Sequence, residues 1–354
     1  MPNPTRAEKL ATYTATEETA WALFARAPCI RFAAAGDDGT PVLRALSAVV
    51  LDGRLCFHGA DDGEKLGLVG RPAVASCDEI VALVASYWIH PEHACPASTY
   101  YRSALAEGRI ERVTDLARKA RILTAIMERF QPEGGYAPID PNDKHYRAIV
   151  EGLLVAELVP TRVFAKVKLG QNRSRKQIER VLEGLWKRGA PGDVEAIRAV
   201  REAHPERPLP AFLRGPGDVP LCVAPDERDA EEVAALLEGQ YWTEGFSLDC
   251  MARAQRGSTV WVVARDPASG RAVASARALS DGARFGYVLD VVVAPGFRGR
   301  GLGRALMRLL LDHPAMRGLL TVDLRTRDAH GVYEPLGFRT SPFDPRLMRR
   351  AFSE

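Results

Sequence analysis

The sequence predicts two domains, an antiparallel β-barrel with flanking helices followed by an α/β domain, and three observations carry that prediction. The 354 residues exceed what one hydrophobic core ordinarily supports. Residues 28–113 alternate short strand-like runs with turn signals, the pattern of hairpins in a small antiparallel barrel. Beyond residue 220 an apolar strand runs into a Gly/Arg loop that opens an amphipathic helix, the order of an α/β unit.

The elements follow in chain order. Cys29–Ala35, Val42–Leu51 and Arg54–His58 read as strands, with turns at Gly36-Asp-Asp-Gly39 and Asp52-Gly53. Ala73–Ala85 and Tyr100–Val113 are further strand candidates, Leu116–Phe130 is a helix, and Leu153–Val159 and Val163–Leu169 supply closing strands. Ile178–Ala203 is helical in period and interrupted at Gly189–Gly192, which implies two short helices. Proline and glycine crowd His204–Pro220 and break both helix and strand, so the domains are drawn as 1–203, a linker at 204–219, and 220–354.

Composition narrows the class. With 46% hydrophobic and 26% charged residues and no apolar run of bilayer length, the chain reads as globular, with no membrane partner. The polar Met1–Leu10 lacks the apolar core of a signal peptide, and the scattered Cys29, Cys56, Cys77, Cys95, Cys222 and Cys250 form no Cys-x-x-Cys pair. A cytoplasmic protein with reduced thiols is therefore expected. His90-Pro-Glu-His93-Ala-Cys95 holds metal-ligand side chains, but its proline and the lack of a second cluster argue for no metal. A net charge of +3 leaves no footprint for nucleic acid. From residue 218 on, 18 Arg and no Lys balance 18 Asp plus Glu, so the group Arg298, Arg300, Arg304 and Arg308 is a local feature suited to cofactor phosphates.

The C-terminal motif is the sharpest. Val291-Val-Val-Ala-Pro-Gly-Phe-Arg298-Gly-Arg-Gly301-Leu-Gly303-Arg304 places Gly299, Gly301 and Gly303 at a strand-to-helix turn. Without Cβ atoms, such a turn can aim successive N–H groups at one anion, aided by the helix N-terminus. Leu302, Ala305, Leu306, Leu309 and Leu310 then follow at helical spacing. The spacing Arg298-x-x-Gly301-x-Gly303 resembles the acetyl-CoA loop of the GNAT family of N-acetyltransferases. Thr326-Arg-Asp-Ala-His-Gly and Tyr333...Gly337-Phe338 resemble the ending of the same family, and Tyr241-Trp242 its aromatic acceptor-side loop.

That resemblance implies an α/β GNAT fold with a mixed sheet that binds acetyl-CoA for direct transfer to a small-molecule amine. It implies a pyrophosphate held by Arg298, Gly299, Arg300, Gly301, Leu302, Gly303 and Arg304, with main-chain groups of Val291 and Val293 flanking the acetyl group. Tyr333 matches the general acid for the departing thiolate, the other reading being an aromatic that packs the last helix onto the sheet. The base is left open among Asp290, Asp328 and His330, with a water chain as the alternative. Asp328 also reads as a helix cap. Arg325 and Arg327 read either as a bidentate grip on an acidic substrate or as solvated charges.

In the first domain, Pro41-Val-Leu-Arg44-Ala-Leu-Ser47, Leu55-Cys-Phe-His58-Gly59-Ala60, Gly63-Glu-Lys65-Leu66, Tyr101-Arg-Ser103-Ala-Leu-Ala-Glu-Gly108-Arg109, Gln131-Pro-Glu-Gly134 and Lys166-Val-Lys168-Leu-Gly-Gln171-Asn172 together resemble the pyridoxamine 5'-phosphate oxidase-like split barrels, in particular the nitroimidazole-reductase-like branch. The resemblance implies an antiparallel split β-barrel that binds FMN across a homodimer interface. Arg44, Ser47 and Lys65 would hold the phosphate, and the backbone of Leu46 and of His58, Gly59 and Ala60 would meet the isoalloxazine edge. Ser103 would complete the pocket. His58 reads either as a ring contact to flavin or as a barrel-mouth histidine satisfied by a carbonyl. Related barrels hold haem, a deazaflavin or nothing. The functional expectation is thus an acetyltransferase fused to an oxidoreductase-like barrel, the alternative being a barrel that senses a ligand or only dimerises.

Overall fold

The computed structural model describes residues 12–340, so Met1–Leu10 and the last residues of the expected second domain, 341–354, lie outside the described residues. The chain divides into two compact units, 1–173 and 174–354.

The first unit is an antiparallel split barrel. Its strands are β1 (Thr14–Ala15), β2 (Ile30–Ala35), β3 (Pro41–Leu46), β4 (Ala48–Leu51), β5 (Arg54–Ala60), β6 (Pro72–Val84), β7 (Ser98–Arg112) and β8 (Leu153–Lys168), with helices α1 (Glu17–Arg26), α2 (Leu116–Phe130) and α3 (Lys144–Gly152). The sheet order is β3-β2-β6-β7-β8-β5-β4, with β1 added to β8. Strand alternation sorts the side chains into two clusters. Ile30, Phe32, Leu55 and Phe57 point inward with Phe24 of α1, and the Phe32 and Phe57 rings lie 4.9 Å apart. Cys56, between Leu55 and Phe57, turns to the other face, where Ile122 and Ile126 of α2 cover it with Val49 and Val155. Its thiol is pushed up to about 12, by burial first and then by neighbouring Glu157, which makes it an inert packing group.

Two elements differ from the sequence reading. The run Val42–Leu51 is two strands cornered at Ser47, and the two runs after Leu153 are one strand, β8. Pro160 does not end β8 because it sits opposite Gly108, at the register shift between Glu107 and Gly108, where the ladder does not require its missing N–H.

The second unit contains a mixed sheet of order β13-β12-β11-β10-β9, comprising β9 (Leu221–Cys222), β10 (Val260–Arg265), β11 (Ala272–Ser280), β12 (Phe285–Val293) and β13 (Thr321–Leu324). All neighbours are antiparallel except β12 and β13. Helices α4 (Arg175–Arg188), α5 (Asp193–Glu202), α6 (Glu227–Leu237), α7 (Leu248–Arg256), α8 (Leu302–Leu311) and the short α9 (His330–Tyr333) complete it. Ala230, Val233 and Leu237 of α6 and Met251 of α7 pack with Trp261, Val263 and Val292 of the sheet.

The boundary expected at residue 203 falls instead at 173, and the presumed linker is folded into the second unit. The reason is burial. Trp186 of α4 stacks on Phe212 at 5.1 Å, its Nε1 donates to Asp312 Oδ2 at 2.6 Å, and Arg317 Nη2 donates to the Trp186 carbonyl at 2.6 Å. Leu213 and Val219 of the Pro/Gly-rich segment are buried as well.

His313 meets the same Trp186 edge-on at 5.7 Å, and its Nδ1 accepts the Ala315 N–H. Burial first, then the Arg317 charge, lowers its pKa to about 4. A histidine whose folded pKa lies below the unfolded value of about 6.5 takes up its proton more readily in the unfolded chain. Stability should therefore fall as pH drops from about 6.5 to about 4, with this group's slope approaching 1.4 kcal/mol per pH unit. Urea titrations at pH 7.5, 6, 5 and 4.5 should show a flatter pH profile in His313→Phe. Parallel profiles would remove the histidine as the cause.

Candidate functional site

The glycine loop has the geometry that its sequence implied. Gly299 and Gly301 have φ of +73° and +79°, a left-handed backbone that side chains rarely adopt, and Gly301 is the N-cap of α8. Gly303, two residues on, faces β12, where an added Cβ would lie 3.5 Å from Val293 Cγ2. Among the described residues, the N–H groups of residues 299–304 meet no protein acceptor. Six consecutive free amides at a helix N-terminus are a donor set suited to an anion. Arg298 folds back, its Nε donating to the Val293 carbonyl at 2.9 Å, and Arg300 lies over the Phe297 ring at 5.4 Å.

Beside the loop the sheet opens. The parallel pairing of β12 with β13 runs from Phe285↔Thr321 to Val288↔Leu324 and stops, while β12 continues through residues 289–293. Val291 and Val293, both half-buried, stand on that stretch, which β13 no longer covers. The bend comes from a bulge: Leu289 pairs with Arg277 and Val292 with Ser275, so Asp290 and Val291 share one position opposite β11. Asp290 takes a φ of +49°, and its Oδ2 accepts from Arg277 Nε at 2.6 Å, the two side chains being 14% and 13% exposed. Asp290 is thus an ion-paired bulge residue. Arg277, which the sequence reading passed over, holds it from the neighbouring strand.

Tyr333, half-buried on α9, meets Phe338 edge-on at 6.0 Å. Burial first and then nearby Tyr241 raise its pKa above the usual 10.0, so its hydroxyl keeps its proton at neutral pH. Tyr241 lies edge-on to Trp242 at 4.9 Å, its ring stacks under the Arg327 guanidinium at 3.8 Å, and its hydroxyl accepts the Arg327 N–H at 3.3 Å. Arg327 is thereby a packing partner of the aromatic loop. His330 is exposed on α9 and lines a concavity with Tyr287, Leu324, Thr326 and Tyr333. Thr326 Oγ1, and not Asp328, accepts the Ala329 N–H at the start of that turn.

In the barrel, the 3₁₀ turn Glu64–Leu68 packs against β2 and β3 and brings Lys65 to β5. A Cβ at Gly59 would lie 2.4 Å from Lys65 Cε and 2.9 Å from its Nζ, so glycine is what lets the ammonium settle over the strand. Lys65 has no ion pair among the described residues. Arg44 pairs with Glu64 and donates to the Leu43 carbonyl, while Leu46 ends β3 and exposed Ser47 forms the corner into β4. His58 is exposed on β5, where desolvation by nearby protein and then the Lys65 charge lower its pKa, and Ala60 ends β5 opposite Leu153.

Ser103 is not brought to this cluster. It pairs with Lys166, eleven positions along β8 from Val155, the partner of His58. His90 and His93 stack at 3.9 Å, and His90 Nδ1 accepts the N–H groups of Glu92 and His93. Among the described residues no three His, Cys, Asp or Glu side chains are grouped to hold a metal.

Against known proteins, residues 16–167 match the family described as pyridoxamine 5'-phosphate oxidase, and residues 224–338 match the acetyltransferase (GNAT) family. The chain therefore joins a pyridoxamine 5'-phosphate oxidase-like split-barrel domain to a GNAT domain. Curated relatives include GCN5-related N-acetyltransferase 1 of Arabidopsis thaliana, 40% identical over 20% of this chain and 37% of its own length. Another is serotonin N-acetyltransferase 2 of Oryza sativa, 39% identical over 25% of this chain and 45% of its own length. The matches thus span less than half of either relative. Among solved structures, the flavocytochrome Anf3 of Azotobacter vinelandii is 21% identical, covering 47% of this chain and 72% of its own, with a TM-score of 0.38. A Xanthomonas campestris structure assigned to the GNAT family is 36% identical, covering 37% of this chain and 93% of its own, with a TM-score of 0.34.

Proposed function

We propose that the second unit transfers an acetyl group from acetyl-CoA directly to a small-molecule amine and that the barrel binds a flavin, with FMN as the form we favour. The observation that carries the first reading is the coincidence of six free amides in the loop and first turn of α8 with the opening between β12 and β13. Acetyl-CoA, when bound, supplies an acetyl group activated as a thioester. Residues 299–304 would bind its pyrophosphate, with Arg304 as a further cation. The backbone of residue 291 and the N–H of residue 293, whose carbonyl is taken by Arg298, would orient the acyl end. Tyr333 holds a proton on its hydroxyl for a departing thiolate. Asp290 is already spent on Arg277 and Asp328 is paired with Arg327 at 3.6 Å, so exposed His330 is the candidate we favour to receive the amine proton, directly or through water.

Native mass spectrometry of the full chain should show bound acetyl-CoA, and thiol release with a panel of primary amines should identify an acceptor. Failure of acetyl-CoA to bind would overturn the transferase reading.

The flavin reading rests on Lys65, a free cation seated over Gly59 beside Arg44. Lys65 would grip the phosphate, Arg44 and Ser47 would add donors, and the backbone at Leu46 and at residues 58–60 would face the ring. Flavin supplies the redox chemistry, and the chain supplies position and access. Lys65→Ala should weaken FMN about tenfold, the scale of one charge-assisted hydrogen bond, and leave riboflavin binding unchanged. Equal weakening of both, followed by flavin fluorescence titration, would separate Lys65 from the phosphate.

We further infer a homodimer in a cytoplasmic setting. The six cysteines are free, and exposed Leu43 and Val74 flank Ala33 in one cross-strand row that a second copy would cover. A second copy is also what would bring Ser103 to a flavin.

A further inference from the structure

We infer that the second unit carries a binding pocket for a medium-chain aliphatic carboxylate, located at the β9 edge of the sheet, with Arg201 as the group that recognises the carboxylate. This is separate from the acetyltransferase reading, since the pocket lies at the β9 edge and the opening beside the glycine loop lies at the β13 edge of the same sheet.

The cavity measures about 270 Å³ and lies between α5, the segment before β9, and β9 itself. Its wall is mainly aliphatic, built from Ile197 of α5, Leu209, Leu213 and Leu221, with the Cys222 thiol among them. Such a lining takes an apolar body. A charged group on that wall needs a partner or water.

The other charges at the wall already have partners. Arg198 pairs with Glu202 at 3.7 Å and donates to the carbonyls of Ala224 and Pro225. Arg265 pairs with Asp229 at 2.7 Å and Asp226 at 3.8 Å, and each of those carboxylates also accepts a backbone N–H at the start of α6. Arg201 alone has no carboxylate within reach among the described residues. Its Nη1 donates to the carbonyls of Arg207 and Pro208 at 3.0 and 3.3 Å, and its Nε and Nη2 meet no acceptor. Partial burial disfavours its charge, which lowers its pKa, and Glu206 offsets this only by distant attraction. A half-buried guanidinium with two donors to spare, set in an aliphatic wall, is complementary to a monocarboxylate with a hydrocarbon tail.

Octanoate and 1-octanol share that tail and differ in the carboxylate, so calorimetric titration of the full chain with each is the test. Octanoate should bind at least tenfold more tightly than octanol. Arg201→Gln should remove that advantage and leave octanol unchanged. Equal affinities in the natural protein, or an advantage that survives Arg201→Gln, would overturn the assignment.

Because Arg201 also ties down residues 207 and 208, a second measurement uses the unaltered chain. Saturating octanoate should slow N-ethylmaleimide labelling of Cys222, read by peptide mass spectrometry, with exposed Cys29 and Cys95 as internal controls. Unchanged Cys222 labelling while octanoate binds would place the carboxylate elsewhere and defeat the proposal.

Discussion

Gly301→Val should weaken acetyl-CoA binding at least about 100-fold while leaving the fold intact. At φ +79° a β-branched residue is forced into a conformation that costs on the order of 1–2 kcal/mol or more, so the loop would rearrange. Rearrangement turns away the amides of residues 302 and 303, which the N-cap conformation orients, and each lost charge-assisted hydrogen bond to a phosphate is worth roughly 1.5–3 kcal/mol. Two such bonds exceed the roughly 2.7 kcal/mol that a 100-fold change represents. The damage should remain local, because the nearest atom to a Cβ at residue 301 is Pro216 Cγ at 3.7 Å, an ordinary contact. Thermal unfolding should therefore shift little. Gly303→Ala provides the contrast, since its Cβ would meet Val293 Cγ2 at 3.5 Å in a helical backbone, and its loss of affinity should be far smaller. Isothermal titration of the two variants decides the matter. A Gly301→Val protein within threefold of the natural affinity would remove the loop from the binding surface.

What the sequence disclosed follows the range over which each feature is encoded. The glycine loop was legible because turn, cap and amphipathic helix are all specified within about a dozen residues, and α2 was legible end to end because Asp115 caps it and its apolar period runs unbroken to Phe130. The opening beside the loop was implied by the resemblance alone and by no local signal. It depends on where β13 ceases to pair and on a bulge whose strained Asp290 is held by Arg277, thirteen residues away on another strand. Nothing local marks Asp290 as an ion-pair partner, so the sequence leaves it a candidate base. The domain boundary was misplaced for a similar reason. Proline and glycine at residues 204–220 break helix and strand, but the unit to which a segment belongs is decided by distant contacts such as Trp186 to Asp312, 126 positions apart. In the barrel, single residues such as Arg44 and Lys65 were readable through resemblance. The counter-charge on Arg44 from Glu64 and the seat of Lys65 over Gly59 emerged only when three strands and a turn converged.

Tyr333→Phe should lower kcat for acetyl transfer by roughly 10²- to 10⁴-fold, the usual contribution of a positioned general acid, while acetyl-CoA affinity stays within about twofold. The phenol suits that role because burial holds its pKa above the ordinary tyrosine value, so the proton to be donated is present throughout the neutral range. Since the shift is upward, any loss of rate from ionisation of this group should set in at a pH above that of an ordinary tyrosine, and it should be absent in the phenylalanine variant. Packing should survive, because the edge-on contact with Phe338 is made by the ring and the hydroxyl has no hydrogen bond among the described residues. Steady-state kinetics with the best amine from the acceptor panel, combined with calorimetry of acetyl-CoA, separates the possibilities. A parallel loss of turnover and affinity would make Tyr333 a packing residue. An unchanged kcat would mean that water returns the proton and the site needs only the amides of residues 299–304 and the open edge of β12.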